Sequence, residues 1–463
     1  MGRSHATDPA PDTIAALATA RGVSALAVIR VGGPDAVAVV ASRFSGDALA
    51  DAEGKTVHVG WIEGGDGRRL DQVVCVVWRA PHSATGEDVV EVTCHGGDAV
   101  AGAVLRALYD AGARPAAPGE FTQRAFLNGK LDLSQAEAVA DLIHAESRLG
   151  HRAAVSALRG RVSDAVDAVR QSLVQTAALV TLELDFGEED VAFADRRDLR
   201  DLLDAADRQL ESLVGTARLG ALARDGVRVV LGGRPNAGKS TLLNALVGED
   251  RAIVSPVPGT TRDAVEAEAE IGGLRFRFVD TAGLRETADA VEAEGTRRAR
   301  AAIDAADVLV YVVDATRGPD AEEQAFLDGL VARRPDVPVV TVANKADLTD
   351  ATPPADHAVS ARDALVDPDR LDGLRQSLLA AVRASGLDAA DAGLVAVNER
   401  HRRHLDAARD AVGRARRSLD AGDGGDTLAL DLRAALRELG LVTGAVTTEH
   451  VLDAVFSQFC IGK

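Results

Sequence analysis

GRPNAGKS, residues 233–240, follows the apolar run Val227 to Leu231 and precedes the helix-forming segment Thr241 to Val247. A buried strand, a glycine-rich loop and a helix start in this order are typical of a phosphate-binding P-loop, whose pattern G-x-x-x-x-G-K-[ST] these residues match. Backbone N–H groups of such a loop hold phosphate oxygens, while Lys239 is expected to reach the β- and γ-phosphates and Ser240 to hold magnesium. The stretch predicts a nucleotide-binding domain.

A mostly parallel sheet is predicted around this loop. Between about residues 225 and 385, apolar runs alternate with helical segments, which is the βαβ pattern of such sheets. The predicted strands are Val227–Leu231, Arg275–Val279, Val308–Val313 and Val337–Ala343.

Two further motifs follow in the order that a GTP-binding domain has them. Gly259-Thr260-Thr261-Arg262-Asp263 is predicted to be a switch loop that brings a threonine hydroxyl to magnesium. Asp280-Thr281-Ala282-Gly283 ends a strand, so that Asp280 would join the magnesium shell and Gly283 would let the backbone approach the γ-phosphate.

The base is indicated by Asn344-Lys345-Ala346-Asp347, which ends another predicted strand. A carboxylate accepts two hydrogen bonds, so Asp347 fits the paired N–H donors of guanine and finds no such pair on adenine. Ser360-Ala361-Arg362 would cover the base from a later loop. The pattern favours GTP; an ATP-dependent P-loop enzyme is the alternative that nucleotide competition would test.

Composition limits what surrounds this domain. The 463 residues allow about three domains of about 150 residues each. The net charge of −19 argues against indiscriminate nucleic-acid binding, so a nucleic-acid partner would have to meet a local basic face. The cluster Arg400-His401-Arg402-Arg403 is one candidate face, and a solvated helix surface is its other interpretation.

Compartment is indicated by apolar runs and cysteines. No run approaches the ~20 apolar residues of a membrane span, and no signal peptide is apparent. Cys75, Cys94 and Cys460 are scattered and offer no disulfide framework, so a reducing cytoplasm is expected.

The predicted fold class is a multidomain α/β and α+β protein, with the P-loop domain inserted in an all-helical domain. The expected domains are an α+β domain at 1–128, helical parts at 129–223 and 389–463, and the nucleotide domain at 224–388. In the first domain, strands are predicted at Ala25–Val31 and Val73–Trp78, and helices at Ala36–Ser42 and Ala99–Ala111. Ser134-x-x-Glu137 is predicted to cap the first helix of the helical domain.

Lysine usage is the last local signal. Only five of the 52 basic residues are lysines, and four of these lie in the motifs quoted in this section: Lys130, Lys239, Lys345 and Lys463. A compact ammonium at such positions is not replaceable by a planar guanidinium.

The whole pattern resembles the MnmE, or TrmE, family of tRNA-modifying GTPases. The resemblance rests on residues 233–240, 259–263 and 280–285, on Thr85 to Glu91 with Cys94-His95-Gly96-Gly97, on Pro118 to Phe121 with Arg124 to Leu133, and on Cys460-Ile461-Gly462-Lys463. It spans essentially the whole chain. Leu284 stands where a Ras-like enzyme has its water-orienting glutamine, so hydrolysis is expected to be arranged differently.

The resemblance implies a homodimer whose GTPase domains meet across their nucleotides, with a potassium ion in place of an arginine finger. Glu292, which alone would read as a solvated helix residue, is implied as the catalytic glutamate. The implied potassium ligands are Asn236, Ser255, Val257 and Thr260, and the implied magnesium ligands are Ser240 and Thr261. The remaining implied GTP contacts are Ala237, Gly238, Lys239, Thr241, Gly259, Asp280, Thr281, Ala282, Gly283, Asn344, Lys345, Asp347, Ser360, Ala361 and Arg362.

The resemblance also implies a tetrahydrofolate derivative, 5-formyl or 5,10-methylene, in the first domain. The residues carried over are Arg30, Glu91, Lys130 and Lys463. Cys460 is implied as a functional thiol, with a buried small hydrophobe as the alternative. The segment ending in Gly462-Lys463 is expected to be flexible enough to reach a neighbouring site.

Two departures from the family pattern stand out. Residues 20–25 read Ala-Arg-Gly-Val-Ser-Ala where the family usually has a proline- and glycine-rich turn, which bears on the folate loop. Residues 363–366 read Asp-Ala-Leu-Val in place of the usual Thr-Gly-Glu-Gly, which predicts weaker affinity for the base.

The function implied is a cytoplasmic GTPase that forms a heterotetramer with an FAD-dependent MnmG-like partner. Together they would add an aminomethyl or carboxymethylaminomethyl group to carbon 5 of the wobble uridine in tRNA. The alternative is a GTP-dependent assembly switch without one-carbon chemistry, which folate binding would distinguish.

Overall fold

A computed structural model of the chain describes residues 12–185, 196–248, 266–280, 302–303, 305–335, 337–351, 353–384 and 395–463. The chain divides into two compact units. The first comprises Met1–Ala140, Leu158–Ala206 and Ala407–Lys463, and the second comprises Asp141–Ala157 and Asp207–Asp406. The domain boundaries expected at 128, 223 and 388 stay predictions.

The first unit contains a seven-stranded sheet, with strand order β3-β4-β5-β6-β2-β1-β7. All neighbouring strands are antiparallel except β1 and β7. The strands are β1 Ile14–Leu17, β2 Leu26–Gly32, β3 Phe44–Gly46, β4 Thr56–Glu63, β5 Arg69–Trp78, β6 Val89–His95 and β7 Arg114–Pro115.

Helices cover one face of this sheet. They are α1 Ala36–Ala41 and α2 Asp98–Asp110, as predicted to within one residue at each end. Val40 and Leu108 of these helices pack against Ile29 and Val92 of the strands in one buried core. Because side chains alternate along a strand, the intervening residues lie on the other face. That face holds Arg30 and Glu91 at opposed positions of β2 and β6.

Long helices complete the first unit, as the apolar periodicity indicates. They include α3 Glu120–Leu127, α4 Leu133–Ile143, α6 Arg161–Asp185 and α7 Arg196–Gly215, of which α4 and α7 continue into the second unit. Helix α5 Arg148–Leu158 lies in the second unit except for Leu158. Within the described residues, no helix is long and apolar enough to cross a membrane.

The cap of α4 differs from the prediction. Ser134 lies inside the first turn and is 1% exposed. The reciprocal bonds of a capping box instead join Asp132 and Gln135: Gln135 N donates to Asp132 Oδ1 at 2.8 Å, and Asp132 N donates to Gln135 Oε1 at 2.9 Å. Beginning the helix there buries Leu133 and Ala136 completely.

The second unit contains a six-stranded sheet with strand order β13-β12-β11-β8-β10-β9. Every pairing is parallel except β9 with β10. The strands are β8 Val227–Gly232, β9 Glu266–Ile271, β10 Leu274–Asp280, β11 Val308–Asp314, β12 Val339–Asn344 and β13 His357–Val359. Four of them confirm the predicted strands.

The remaining helices follow these strands or lie near the end of the chain. They are α8 Ala217–Asp225, α9 Lys239–Val247, α10 Ala321–Arg333, α11 Ala361–Ala364, α12 Asp372–Arg383, α13 Glu399–Ala421, α14 Gly425–Thr443 and α15 Glu449–Phe456. In the first unit, α14 packs along α6. In the second, α9 and α12 pack on the same face of the sheet through Leu242, Leu246 and Leu378.

The β9–β10 hairpin holds the segment that leads into α5, within the second unit. Leu149 N donates to Gly273 O at 3.0 Å. Arg275 of β10 pairs with Glu146 at 2.5 Å and with Glu268 at 2.6 Å. This end of β10 is therefore fixed to residues 146–149, while its other end carries Asp280.

Candidate functional site

The P-loop of residues 233–240 leaves room only for glycine at two positions. Gly233 has a φ of +134°, and a Cβ there would lie 2.2 Å from Val312 O. Gly238 has a φ of +92°, and a Cβ would lie 2.1 Å from Asn344 Nδ2. Both φ values are in the region that side chains avoid. The backbone therefore follows a tight course against Val312 and Asn344, which a side chain at either glycine would disrupt. A glycine-rich loop of this kind suits a phosphate cradle.

Lys239 begins α9 directly after the loop. Its side chain is buried, and Nζ donates to Gly233 O at 3.0 Å and to Arg234 O at 2.9 Å. The ammonium group is therefore held over the loop itself rather than pointing into solvent. A positive charge over the P-loop is suited to binding phosphate oxygens.

Ser240 and Asp280, both predicted to lie at a magnesium site, are hydrogen-bonded to each other. Ser240 Oγ donates to Asp280 Oδ2 at 2.8 Å, and Asp280 is 6% exposed at the carboxyl end of β10. A hydroxyl beside a buried carboxylate provides the hard oxygen ligands that Mg²⁺ prefers. These two residues fit the metal.

Asn344 ties the P-loop to the base motif. It is 2% exposed; Nδ2 donates to Ala237 O, and Oδ1 accepts from Ala361 N, both at 2.9 Å. One side chain thus joins the phosphate loop, the end of β12 and the start of α11.

Lys345 is held by a carboxylate that the sequence argument missed. Its φ is 67°, and Nζ pairs with Asp314 Oδ2 at 2.6 Å. Burial opposes ionisation of Asp314, but hydrogen bonds from Lys345 and Thr316 outweigh it and lower the pKa of Asp314 to about 2. Asp314 ends β11, one strand away from β12, so only the sheet order reveals the pair.

The residues predicted to recognise the base differ in exposure, and Ser360 is only 8% exposed. Asp347 is exposed in the short 3₁₀ turn Ala346–Leu348. Ser360 caps α11 by accepting from Asp363 N at 3.2 Å, and Arg362 is exposed. The departure from the usual family residues at 363–366 therefore leaves a regular N-cap, because the backbone N–H of Asp363 donates to Ser360.

Part of the predicted site lies outside the described residues. Asn236 is described: it is exposed and has a φ of 66°, which few side chains adopt. The sites outside the described residues are Ser255, Val257, Gly259, Thr260, Thr261, Thr281, Ala282, Gly283 and Glu292.

A second candidate site lies on the face of the first sheet opposite α1 and α2. Arg30 Nη2 pairs with Glu91 Oε1 at 2.8 Å, and both side chains are partly exposed. The Arg30 guanidinium lies 5.6 Å from the ring centre of Phe121, a contact that local sequence patterns do not reveal. Phe121 N in turn donates to Lys463 O at 3.2 Å. Phe121 therefore connects three of the four residues predicted for folate.

The segment 460–463 is bound to this site, which corrects the expectation of a flexible tail. Ile461 forms a β-bridge with Pro118, and Gly119 N donates to Cys460 O at 3.4 Å. Gly462 has a φ of +99° and lies so close to Leu17 that a Cβ would be 2.3 Å from its carbonyl oxygen.

The cysteines differ in exposure. Cys460 is exposed, so the interpretation of it as a buried hydrophobe is wrong. Cys75 and Cys94 are buried in the sheet, and burial raises the pKa of the Cys75 thiol to about 12.

Lys130 is placed beside the loop that follows Ala80. Its Nζ donates to Pro81 O at 3.1 Å, and its stem packs near Gly86. Asn128 Nδ2 donates to Thr85 O at 2.8 Å and fixes the same loop. Lys130 thus contacts the 81–86 loop, whereas the contacts through Phe121 join the other three folate candidates.

The arginine cluster of residues 400–403 is not a uniform basic face. His401 is 3% exposed, and Arg402 pairs with Glu399 at 2.6 Å and with Asp406 at 2.8 Å. Neighbouring carboxylates thus offset the charge of Arg402, so a solvated, ion-paired helix describes it better than a tRNA contact does.

Two family models match the chain, one after the other. The model described as "GTP-binding protein TrmE N-terminus" matches residues 13–130, and that described as "MnmE helical domain" matches residues 133–460. Two solved structures that match part of this chain are an Era variant from Aquifex aeolicus bound to GDP·AlF4− and the FeoB G-domain from Methanococcus jannaschii. The first is 34% identical over 26% of this chain and 40% of its own, with a TM-score of 0.21. The second is 23% identical over 34% and 97%, with a TM-score of 0.24.

Curated relatives match over nearly the full length. The tRNA modification GTPase MnmE of Salinibacter ruber is 56% identical over 98% of this chain and 99% of its own. That of Cytophaga hutchinsonii is 42% identical over 98% of each chain. With this coverage and these family models, the chain belongs to the MnmE family of tRNA modification GTPases.

Proposed function

We propose that this chain is a potassium-dependent GTPase that acts with an FAD-dependent MnmG-like partner on tRNA. The pair would add an aminomethyl or carboxymethylaminomethyl group to carbon 5 of the wobble uridine, with a tetrahydrofolate derivative as one-carbon donor. GTP hydrolysis in tRNA modification follows from membership of the family. The observation that carries the proposal is that this member of the family has both a P-loop site and, on its first sheet, the Arg30–Glu91 pair next to Phe121.

The nucleotide site supports GTP with magnesium. Gly233 and Gly238 allow the tight course of the loop, Lys239 supplies a cation, and Ser240 with Asp280 supplies oxygen ligands. Bound magnesium would stabilise charge that develops on the phosphates. Exposed Asp347 would accept the two N–H donors of guanine.

Potassium dependence is supported by the state of Asn236. Its side chain is exposed on the loop, and its backbone is left-handed, with a φ of 66°. An amide oxygen is a suitable ligand for a hard monovalent cation, and a fixed cation near the phosphates would offset transition-state charge. Ser255, Val257 and Thr260 complete the proposed ligands, with Glu292 as the residue that orients water.

Folate binding is supported by the Arg30–Glu91 pair. Glu91 can accept the N–H pair of a pterin ring, and the aromatic face of Phe121 lies beside it under Arg30. Lys463 and Lys130 would serve the negatively charged glutamate tail. Exposed Cys460 lies on the segment that Gly119 binds, within reach of a reacting group brought to this site.

A homodimer is supported by exposed valines of β4 and β5 in the first sheet. Val57 is 64% exposed, Val59 54% and Val74 37%. Val59 and Val74 are direct cross-strand neighbours, and Val57 opposes Val76, so these apolar side chains form one patch. A patch of this kind is typical of a protein interface, and a second copy of the chain is the proposed occupant.

The first experiment is GTP turnover by the full chain in potassium against sodium. Glu292→Ala and Asn236→Ala are expected to abolish potassium stimulation, whereas Asn244→Ala, on the exposed side of α9, is expected to retain it. Equal rates in both salts would overturn potassium dependence.

The second experiment is titration of the full chain with 5-formyltetrahydrofolate. Arg30→Ala and Glu91→Gln are expected to weaken binding at least tenfold, because each leaves a charged partner unpaired. Arg68→Ala, in the exposed β4–β5 turn, is the matched control. Absence of folate binding by the unsubstituted chain would favour the assembly-switch alternative.

A further inference from the structure

Arg234, the second residue of the P-loop, is bound by three carboxylates at the start of α10. Its guanidinium pairs with Asp320, with Glu322 at 3.2 Å and with Glu323 at 3.7 Å. The Arg234 side chain is 50% exposed, but that of Glu323 is only 8% exposed. One positive charge therefore faces three negative charges beside the phosphate loop.

Glu323 is fixed in place by α10 itself. Glu323 N donates to Asp320 Oδ1 at 2.9 Å, and Asp320 N donates to Glu323 Oε2 at 3.3 Å, which is a reciprocal capping box. The carboxylate that meets Arg234 Nε is thus rigid, unlike a surface glutamate. Helix α10 follows β11, a strand of the sheet that also contains β8, the strand before the P-loop.

Tyr311 completes the support from inside the sheet. Its hydroxyl donates to Glu323 Oε1 at 3.3 Å in a buried setting. Burial and the neighbouring Glu323 raise the pKa of Tyr311, so it stays a protonated donor. Its ring lies beside Gly232, where a Cβ would be 3.1 Å from the ring. Gly232 directly precedes the P-loop, so Tyr311 contacts both the residue before the loop and the carboxylate that binds Arg234.

We propose that Arg234 is a positioning residue for the nucleotide, set by Glu323 and Tyr311. Its ion pairs hold the first half of the P-loop in the course that exposes the backbone N–H groups to phosphate. They also neutralise carboxylates that would otherwise repel the phosphates. Since its own charge is already engaged by three acids, Arg234 is not a phosphate ligand. The inference rests on GTP binding at the P-loop.

The expected result of Arg234→Ala is loss of affinity for GTP and GDP alike. We expect Kd to rise about 5- to 50-fold for both nucleotides at low ionic strength, the range of a strong coupling between neighbouring sites. The loss is expected to shrink as salt rises, because three unpaired carboxylates repel the phosphates less when screened. The preference for guanine over adenine is expected to change little, because Arg234 lies on the phosphate loop and not at the base motif.

The test measures Kd for fluorescent GTP and GDP analogues on the full chain. Potassium is held constant while choline chloride varies the ionic strength, so that screening is separated from any potassium requirement. Arg234→Lys is expected to restore part of the affinity, and Glu323→Gln combined with Arg234→Ala to restore part of it by removing a negative charge. Tyr311→Phe is expected to give a smaller loss. Arg317→Ala removes an exposed arginine from the same β11–α10 connection and is the control.

The outcomes separate this inference from the proposed function. If the unsubstituted chain fails to bind GTP, the nucleotide site itself is wrong. If it binds GTP and Arg234→Ala matches Arg317→Ala at low salt, the positioning role is overturned. If Arg234→Ala does not fold, Arg234→Lys and Tyr311→Phe decide: normal affinity and salt dependence in both would reject the proposal.

Discussion

Asn344 Nδ2 donates a hydrogen bond to Ala237 O over 2.9 Å, although the two residues are 107 positions apart in the chain. The same side chain accepts from Ala361 N. The phosphate loop and the base loop are therefore joined by one buried amide, and neither is an independent module.

Asn344→Ala is expected to destabilise the second unit. The substitution leaves the buried Ala237 C=O and Ala361 N–H without this partner, at about 1–3 kcal/mol for each group. Urea unfolding followed by circular dichroism measures the loss. The only tryptophans, Trp61 and Trp78, lie in the first sheet, so their fluorescence transition serves as an unchanged internal reference. Asn244→Ala is the control, and equal stability of the two variants would contradict the role of Asn344.

Asp347→Asn is expected to change base preference rather than fold. An amide cannot accept both guanine N–H donors, so GTP affinity should fall at least tenfold while xanthosine triphosphate gains affinity. Competition binding with the two nucleotides measures the exchange. Asp350→Asn, also exposed and three residues later, is expected to leave both affinities unchanged. Unaltered GTP preference in Asp347→Asn would remove Asp347 from base recognition.

Asp314→Asn is expected to destabilise the chain near neutral pH and much less in acid. The folded pKa of Asp314, about 2, lies below the unfolded value of about 3.9. A lowered folded pKa stabilises the fold above the unfolded pKa, and the stabilisation is lost as pH falls from there through the folded pKa. The difference in unfolding midpoint between the unsubstituted chain and Asp314→Asn should therefore be smaller at pH 3 than at pH 5 and pH 7. A difference in unfolding midpoint that does not change with pH would mean that Asp314→Asn acts through packing and not through the charge of Asp314.

Gly462→Ala is expected to release residues 460–463. A Cβ at 2.3 Å from Leu17 O and a φ of +99° cannot both be kept, so the segment must move. Hydrogen exchange at Phe121 N–H, which Lys463 O accepts, should become faster, and folate binding should weaken. GTP turnover is expected to be unchanged. Gly102→Ala in α2, whose nearest neighbour is the flexible end of Arg106, is the control. Unchanged exchange would mean that the segment adapts without leaving.

The nucleotide site was largely predictable because its signals are local. Each motif follows an apolar run that forms a parallel strand, and parallel strands end at one edge. The sequence does not predict strand β9, because glutamate and alanine alternate in Glu266–Ile271 and neither residue favours strands. Its pairing with β10 stabilises it instead.

Contacts between distant segments were not predictable. Both Asp132-x-x-Gln135 and Ser134-x-x-Glu137 suit a helix start, and only burial of Leu133 decides between them. Phe121 under Arg30 and Asp314 beside Lys345 depend on which strands are neighbours. The docking of residues 460–463 likewise needs Gly119 and Leu17, more than 300 residues earlier in the sequence.

Strand β10 carries two different sets of contacts at its two ends. Asp280 at one end faces the predicted metal, and Arg275 with Gly273 at the other holds residues 146–149. Hydrogen bonds to β8 and β9 on both sides make the strand stiff along its length. Asp280 and Arg275 lie about 17 Å apart along the strand. Strand β10 thus connects the predicted magnesium site to the start of α5 through one hydrogen-bonded element of the second unit.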